Sequence, residues 1–386
     1  MGFDVVEERE QRAKIRIIGV GGGGGNAINN MIAQGMEGVE FIVVNTDAQD
    51  LDRSFAPTKF QIGNDLTKGL GAGGLPNTGR EAALEDKERL VELVQGCDMV
   101  FVAAGMGGGT GTGAAPIVAQ IAKECGALTV AIVTRPFHFE GARRRRNAEE
   151  GIENLRNCVD TLITIPNQRL ISMATETTSL KESFEQADRV LHQAVKGVSD
   201  LINLPGEIGV DFADVCTIMK DKGVGLMGIG QAAGEDRVMQ AAYAAINSPL
   251  LDEVSLAGAK SVLVNITSSS NLGIIEVSEA TQMIQEEAHE DVNLIFGWIV
   301  DEDMEGDVRV TVVATEFDEN WSGNVSVKPP PRSTTQSQQP SRSAVKAKEI
   351  PTIMGSQTKN TNPSGNRGGN RGGNRGGGLP GFFEGN

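Results

Sequence analysis

Three glycine-dense stretches hold the residues best placed to do chemistry: GVGGGG (19–24), GLGAGG (69–74) and GGGTGTG (107–113). Glycine loses more backbone entropy on folding than any other residue, so runs this dense must meet a requirement. Close approach of backbone N–H groups to phosphate is one candidate, because N–H groups at helix starts attract anions. A flexible connection is the plain alternative. Thr110 and Thr112 add hydroxyl donors to the third stretch. Asp211 and Asp214, three apart in GVDFADV, lie at an apparent helix start, where capping and the helix dipole alone would favour aspartate. His138, His192 and His289 lack ligand spacing. The four cysteines are scattered without paired spacing, which argues for reduced thiols and against a zinc site.

Two phosphate readings compete. GVGGGG satisfies G-x-G-x-x-G between a strand and a helix, and Asp47 follows the next strand, where a dinucleotide fold puts a ribose ligand. No glycine loop ends in Gly-Lys-Ser/Thr, so a Walker loop is absent. A dinucleotide fold needs one glycine loop, however, and this chain has three. Several loops wrapped around one triphosphate account for the extra two.

The elements that must position these loops follow from periodicity. IRIIGV (15–20), FIVV (41–44), DMVFVAA (98–104), LTVAIV (128–133) and TLITI (161–165) read as short apolar strands. Helical patterns at 26–36 and 80–95 lie between them, the second with Leu84, Leu90, Val91 and Val94 on one face. Strands alternating with helices predict an α/β fold, a Rossmann-like parallel sheet covered on both faces, with ligands beyond the carboxyl ends of the strands. Phe184, Ala187, Val190, Leu191, Ala194, Val195, Val198, Leu201 and Ile202 form one stripe of a long helix over about 183–204, ended by Pro205-Gly206. Strands at 224–229, 260–267, 293–300 and 308–315 and helices at 234–247 and 276–288 then predict a smaller α/β unit. The expected division is a 1–13 disordered N-terminus, a 14–182 nucleotide-binding domain, a 183–206 central helix, a 207–318 second domain and a 319–386 disordered tail.

Charge sharpens that division. The net charge is −16, but the stretch from 319 onward holds nine Lys/Arg against three Glu, a tail of +6 on a body of −22. An acidic body repels nucleic acid, so only the tail, with its NRGGNRGGNRGGG repeat (366–378), could touch it. Pro, Ser, Gln, Asn and Gly dominate the tail, a composition that cannot bury enough apolar surface to offset chain entropy. The apolar runs are strand-sized, which predicts no transmembrane segment, and the acidic start MGFDVVEEREQ predicts no secretory signal.

GVGGGGGNA (19–27), NTDAQ (45–49), GLGAGG, GGGTGTGAAP (107–116), RPFHFEG (135–141) and DFADV (211–215) together resemble the FtsZ family of bacterial cell-division GTPases, relatives of tubulin, over about residues 14–317. The resemblance implies a tubulin-like fold, GTP/GDP and Mg²⁺ as ligands, and head-to-tail filaments of one protein. It also implies a cytoplasmic place at mid-cell on the inner membrane face through adaptors. It assigns Gly22, Gly23, Gly24, Gly25 and Asn26 to the phosphates, with Gly109, Thr110 and Gly111 on their other side. Ala72 and Gly73 would approach the γ-phosphate, and Glu140 and Arg144 the ribose side. Asn167, Phe184 and Asp188 become guanine contacts; without the resemblance, Phe184 reads as core and Asp188 as solvated. Mg²⁺ would come with the nucleotide rather than sit in a side-chain cluster.

By the same resemblance Asp211 and Asp214 polarise the attacking water. A rod of about 22 residues, roughly 33 Å at 1.5 Å each, separates them from the guanine contacts, so they would serve an adjacent subunit's GTP. Three positions depart from the family pattern: Gly209 and Leu75 stand where Asn is usual, and Gln168 where Asp or Glu is common. The Gly209 departure leaves open a structural filament with little hydrolysis, and a dinucleotide-dependent oxidoreductase remains the more distant rival. EIPTIM (349–354) resembles imperfectly the family's adaptor-docking peptide.

Overall fold

The apolar runs pair as expected, and the computed structural model describes residues 13–317 apart from 176, 205, 207 and 252–255, all in one compact unit. The strands are β1 (Ile15–Val20), β2 (Glu40–Asn45), β3 (Thr58–Gln61), β4 (Met99–Gly105), β5 (Leu128–Arg135), β6 (Thr161–Pro166), β7 (Gly223–Ala232), β8 (Ala259–Ser268), β9 (Asn293–Val300) and β10 (Val308–Phe317). They form one sheet in the order β3-β2-β1-β4-β5-β6-β7-β10-β8-β9. Every pair from β3 to β7 is parallel, and a short ladder, Thr161–Ile163 against Gly223–Gly225, joins the two halves. β10 runs antiparallel to both β7 and β8.

The helices are α1 (Gly21–Ala33), α2 (Ala48–Arg53), α3 (Asn64–Thr67), α4 (Pro76–Glu85), α5 (Lys87–Val94), α6 (Thr110–Glu124), α7 (Ala142–Arg156), α8 (Asn167–Leu170), α9 (Leu180–Asn203), α10 (Phe212–Met219), α11 (Arg237–Ile246) and α12 (Ile274–Glu287). They cover both faces because the strands are apolar on both. Ile15 and Ile17 pack with Ile28 of α1 and Leu191, Ala194 and Val198 of α9. Ile18 and Val20 pack on the opposite face with Ala114 and Val118 of α6. Each of these isoleucine, leucine and valine side chains contributes about 1.5–3 kcal/mol on burial. A third cluster joins Val238 and Ala241 of α11 and Ile284 of α12 to Val262, Val264, Val310 and Val312.

α9 is the rod that the stripe predicted. Ser179 starts it with a reciprocal cap: its hydroxyl accepts from Glu182 N at 3.2 Å, and the Glu182 carboxylate accepts from Ser179 N at 2.6 Å. The stripe is buried except at its ends, where Phe184 is 39% exposed and Ile202 is partly buried. Twenty-four residues make it about 36 Å long. Pro205, expected to end the helix, lies outside the described residues, as do 1–12 and the tail with its 349–354 island.

Two local expectations need correction, and one strand went unforeseen. The helix placed at 26–36 begins at Gly21, inside the glycine run. Five glycines are poor helix formers, each about 1 kcal/mol worse than alanine, so tertiary packing decides: a Cβ at Gly24 would lie 2.4 Å from the Ala103 carbonyl oxygen. The helix expected over 80–95 is two helices that break at Asp86. That carboxylate accepts from Gly63 N at 2.8 Å and from Arg89 at 2.7 Å, and the break takes Leu84 out of phase to 40% exposure. Finally β3 has a single buried residue, Phe60, and no apolar run to announce it.

Candidate functional site

β1 and β4 are neighbours, with Val20 opposite Ala104, so the glycine turns that follow them meet at the carboxyl edge of the sheet. The first four N–H groups of a helix have no partner inside it. In α1 these include the N–H groups of Gly21, Gly22 and Gly23; in α6 the first closed bond is Gly113 N to Gly109 O at 3.0 Å, leaving Gly109–Thr112. The two helix starts therefore aim unpaired donors and two positive dipole ends at one place. They approach so closely that a Cβ on Gly21, at φ +71°, would lie 2.7 Å from Gly111 N.

A cavity of about 560 Å³ opens there. Gly22, Gly23 and Asn26 line it from α1, Gly109, Thr110 and Gly111 from the start of α6, and Ala72 and Gly73 from the loop before α4. Gly24 and Gly25 do not. They sit one turn into α1, where Gly24 is pressed on Ala103 and Gly25 faces Val43. Asn26 is the sixth residue of α1 and not its cap.

Aromatic side chains gather at the far end of the cavity. Phe184 lines it and packs edge-on against Phe137, ring centroids 5.3 Å apart, while Phe139 stacks on Phe137 at 5.0 Å. Asn167 is buried at this end, and its Oδ1 has no hydrogen-bond partner among the described residues, an acceptor awaiting a donor. Asp188 lines the same end; burial, helped by Glu185, pushes its carboxyl up to about 7. Between the two ends, Glu140 accepts from Phe137 N at 2.9 Å and from Arg144 at 2.6 Å, and both line the cavity. Gln168 ties the same loop down by accepting from His138 N at 3.0 Å.

Asp47, Asp50, Glu140 and Asp188 make the lining acidic, against Arg144 on the other side of the ledger. A polyphosphate entering it needs a countercation. Mg²⁺ ordinarily takes one or two carboxylates plus phosphate oxygens and keeps several waters, and Asp47 and Asp50 beside the phosphate end fit that demand. Among the described residues no group of three or more His, Cys, Asp or Glu could hold a metal ion.

Asp211 and Asp214 are exposed and do not line the cavity. Asp211 caps α10, its Oδ1 accepting from Asp214 N at 2.7 Å. They follow the C-terminal end of α9, whereas Phe184 and Asp188 stand near its start. His138 is exposed and His289 partly buried, its Nδ1 accepting from Asp291 N. His192, inside α9, has no partner for either ring nitrogen among the described residues; burial, then Lys196 and Arg309, push it down to about 4.

The first six strands follow the order of dinucleotide-binding sheets, so topology alone does not separate the two phosphate readings. Asp47, expected on a ribose, lines the cavity with Oδ1 accepting from Gln49 N at 2.9 Å as the cap of α2, and Oδ2 remains for either reading.

Sequence comparison matches residues 14–175 to the Tubulin/FtsZ family, GTPase domain, and residues 223–318 to the FtsZ family, C-terminal domain. A solved FtsZ dimer from M. jannaschii, in its empty form, is 41% identical, with 84% of this chain and 96% of that chain covered and a TM-score of 0.77. CetZ2 from Haloferax volcanii, solved as a GTPγS-bound protofilament, covers 79% of this chain and 94% of its own at 21% identity, with a TM-score of 0.67, a likeness of fold. No helix among the described residues is long and apolar enough to cross a membrane. With both domains of the family matched and a relative of that identity covered almost end to end, the chain belongs to the FtsZ family of tubulin-like GTPases.

Proposed function

We propose that this protein binds GTP, hydrolyses it to GDP and phosphate only where two copies meet head to tail, and builds the filaments of a division ring. Residues 14–182 would form the nucleotide-binding domain, 183–206 the central helix and 207–318 the domain that activates the next subunit. The observation that supports this reading is the separation along α9: Phe184 and Asp188 line the cavity near its start, and the exposed Asp211 and Asp214 follow its other end. A second copy stacked on the first brings its aspartates to the neighbour's γ-phosphate, and a contact between two different surfaces repeats without closing.

The chemistry needs no covalent intermediate. The N–H groups of Gly22, Gly23 and Gly109–Gly111 hold charge on the phosphates, while Asp211 and Asp214 of the adjoining copy orient water for in-line attack. Mg²⁺, when bound, neutralises phosphate charge in the acidic lining. Loss of the γ-phosphate removes what the 69–75 loop grips and weakens the junction. The 349–354 island is proposed to dock a division adaptor and so bring the filament to the inner membrane face at mid-cell; nucleic acid would meet at most the tail.

Turnover should rise more steeply than linearly with protein concentration and track the sedimentable fraction. Full specific activity in a monomeric sample overturns the reading.

Gly209 supports a second reading, a filament that binds GTP and hydrolyses it slowly. The site has room: among the described residues no heavy atom lies within 4 Å of an added Cβ. Gly209→Asn is therefore expected to shift stability by less than about 0.5 kcal/mol and to raise turnover per filament severalfold. Unchanged turnover would mean that the glycine sets no limit on the rate.

A further inference from the structure

Thr46, directly after β2, is completely buried, and it touches two of the three glycine loops, 69–74 and 107–113. Its hydroxyl lies 2.6 Å from the Thr110 hydroxyl at the start of α6. Its carbonyl accepts from Gly71 N at 3.3 Å and from the Thr67 hydroxyl at 3.3 Å, both in the segment that carries Ala72 and Gly73. Its own N–H donates to Asn45 Oδ1 at 2.8 Å, which fixes the strand end. The next residues continue the stitch: Asp47 bridges Leu70, and Ala48 N donates to Gly69 O at 3.1 Å.

One proton lies between the two hydroxyls, and its placement decides what Thr110 offers the cavity. If Thr110 donates to Thr46, it turns only lone pairs toward the ligand, which repels phosphate oxygen. If Thr46 donates, Thr110 keeps its proton to give away. Among the described residues, Thr110 is the hydrogen-bond partner of the Thr46 hydroxyl, and a buried donor without an acceptor is costly. An anion in the cavity selects the second arrangement, and the chain of two hydroxyls strengthens both bonds.

We propose that Thr46 is a positioning residue: it holds the Thr110 proton toward the phosphates and couples the 69–75 loop to the start of α6. This rests on the phosphate reading of the cavity and adds to it a residue that touches no ligand. The coupling is mutual, because a shift of Gly71 drags the Thr46 carbonyl and with it the hydroxyl that orients Thr110.

The test is equilibrium binding of GTP and of ATP, each with Mg²⁺, to the full chain and to Thr46→Val, Thr46→Ser and Thr110→Val. Thr46→Val keeps the shape and loses the hydroxyl, and it should weaken GTP binding about tenfold, one hydrogen bond's worth at roughly 1.4 kcal/mol. Thr46→Ser should restore affinity to within about twofold of the starting protein. On the Thr110→Val background, Thr46→Val should add less than about twofold, because the proton it positions is gone.

Equal affinities for Thr46→Val and the unaltered chain overturn the proposal, as do Ser and Val variants that behave alike. The same tenfold loss on both backgrounds overturns it too, since a packing role alone would produce that. If GTP and ATP bind alike but the Thr46 pattern holds, guanine recognition fails and the proposal stands. If the unaltered chain binds neither nucleotide, the phosphate reading and the proposal both fall.

Discussion

Asp211→Asn should lower GTP turnover by about 10²–10⁴-fold, the usual worth of a positioned acid–base group, while GTP affinity and sedimentation stay close to those of the unaltered protein. The substitution separates the capping that the structure shows from the catalytic role proposed for the same side chain. Asp211 caps α10, accepting from Asp214 N at 2.7 Å. Asparagine caps a helix as well as aspartate does, whereas alanine costs about 1 kcal/mol at such a position. If capping were the whole of its role, Asp211→Asn would stay active and Asp211→Ala would suffer only through stability. If the carboxylate orients water, both lose turnover alike. Mixing supplies the second half of the test. Asp211→Asn keeps an intact cavity, and Asp188→Ala keeps an intact Asp211. Random stacking of equal amounts pairs a good cavity with a good aspartate at about one junction in four. Recovery of turnover toward that fraction in the mixture is expected; a mixture no more active than its parts would place the aspartates outside catalysis.

What the sequence disclosed and what it withheld divide along a physical line. The apolar strands from 15 to 165 and the α9 stripe were legible because burial imposes a period on one segment at a time. The start of α1 was not. A run of five glycines argues against helix by propensity, and the reason for it is the Ala103 carbonyl on another strand. Asp86 likewise looks like a charge on a helix face until Gly63, 23 residues earlier, is seen to donate to it. Within the site, glycine runs pointed to the phosphate end, but Phe137, which holds Phe184 edge-on, and Thr46, which holds Thr110, act through neighbours distant in sequence. The departure at Gln168 could be noted beforehand; its bond to His138 N could not. Glycine spacing marked the phosphate end and the family resemblance the other cavity-facing residues, but neither marked the residues that hold them in place.

With Asp188 as the guanine contact that the family resemblance implies, GTP binding should depend on pH. Burial, with Glu185 adding like charge, pushes its carboxyl up to about 7 in the empty cavity, well above the usual carboxylate range. Guanine presents N1–H and N2–H, two donors that call for the ionised form. Binding therefore draws the proton off, and affinity should fall about tenfold per unit once pH drops below 7, a loss of roughly 100-fold between pH 8 and pH 5. The unliganded fold has the opposite dependence. The raised carboxyl binds its proton more tightly folded than unfolded, so its contribution to stability is full below about pH 4 and is lost as pH rises through 7. GTP should accordingly raise the thermal midpoint more at pH 8 than at pH 6. The terminal phosphate itself titrates near 6, so the quantity to read is the difference between the unaltered protein and Asp188→Asn. That variant should bind GTP weakly at every pH and show only the slope that belongs to the phosphate. Parallel profiles for the two proteins would remove Asp188 from guanine recognition, whatever else the cavity binds.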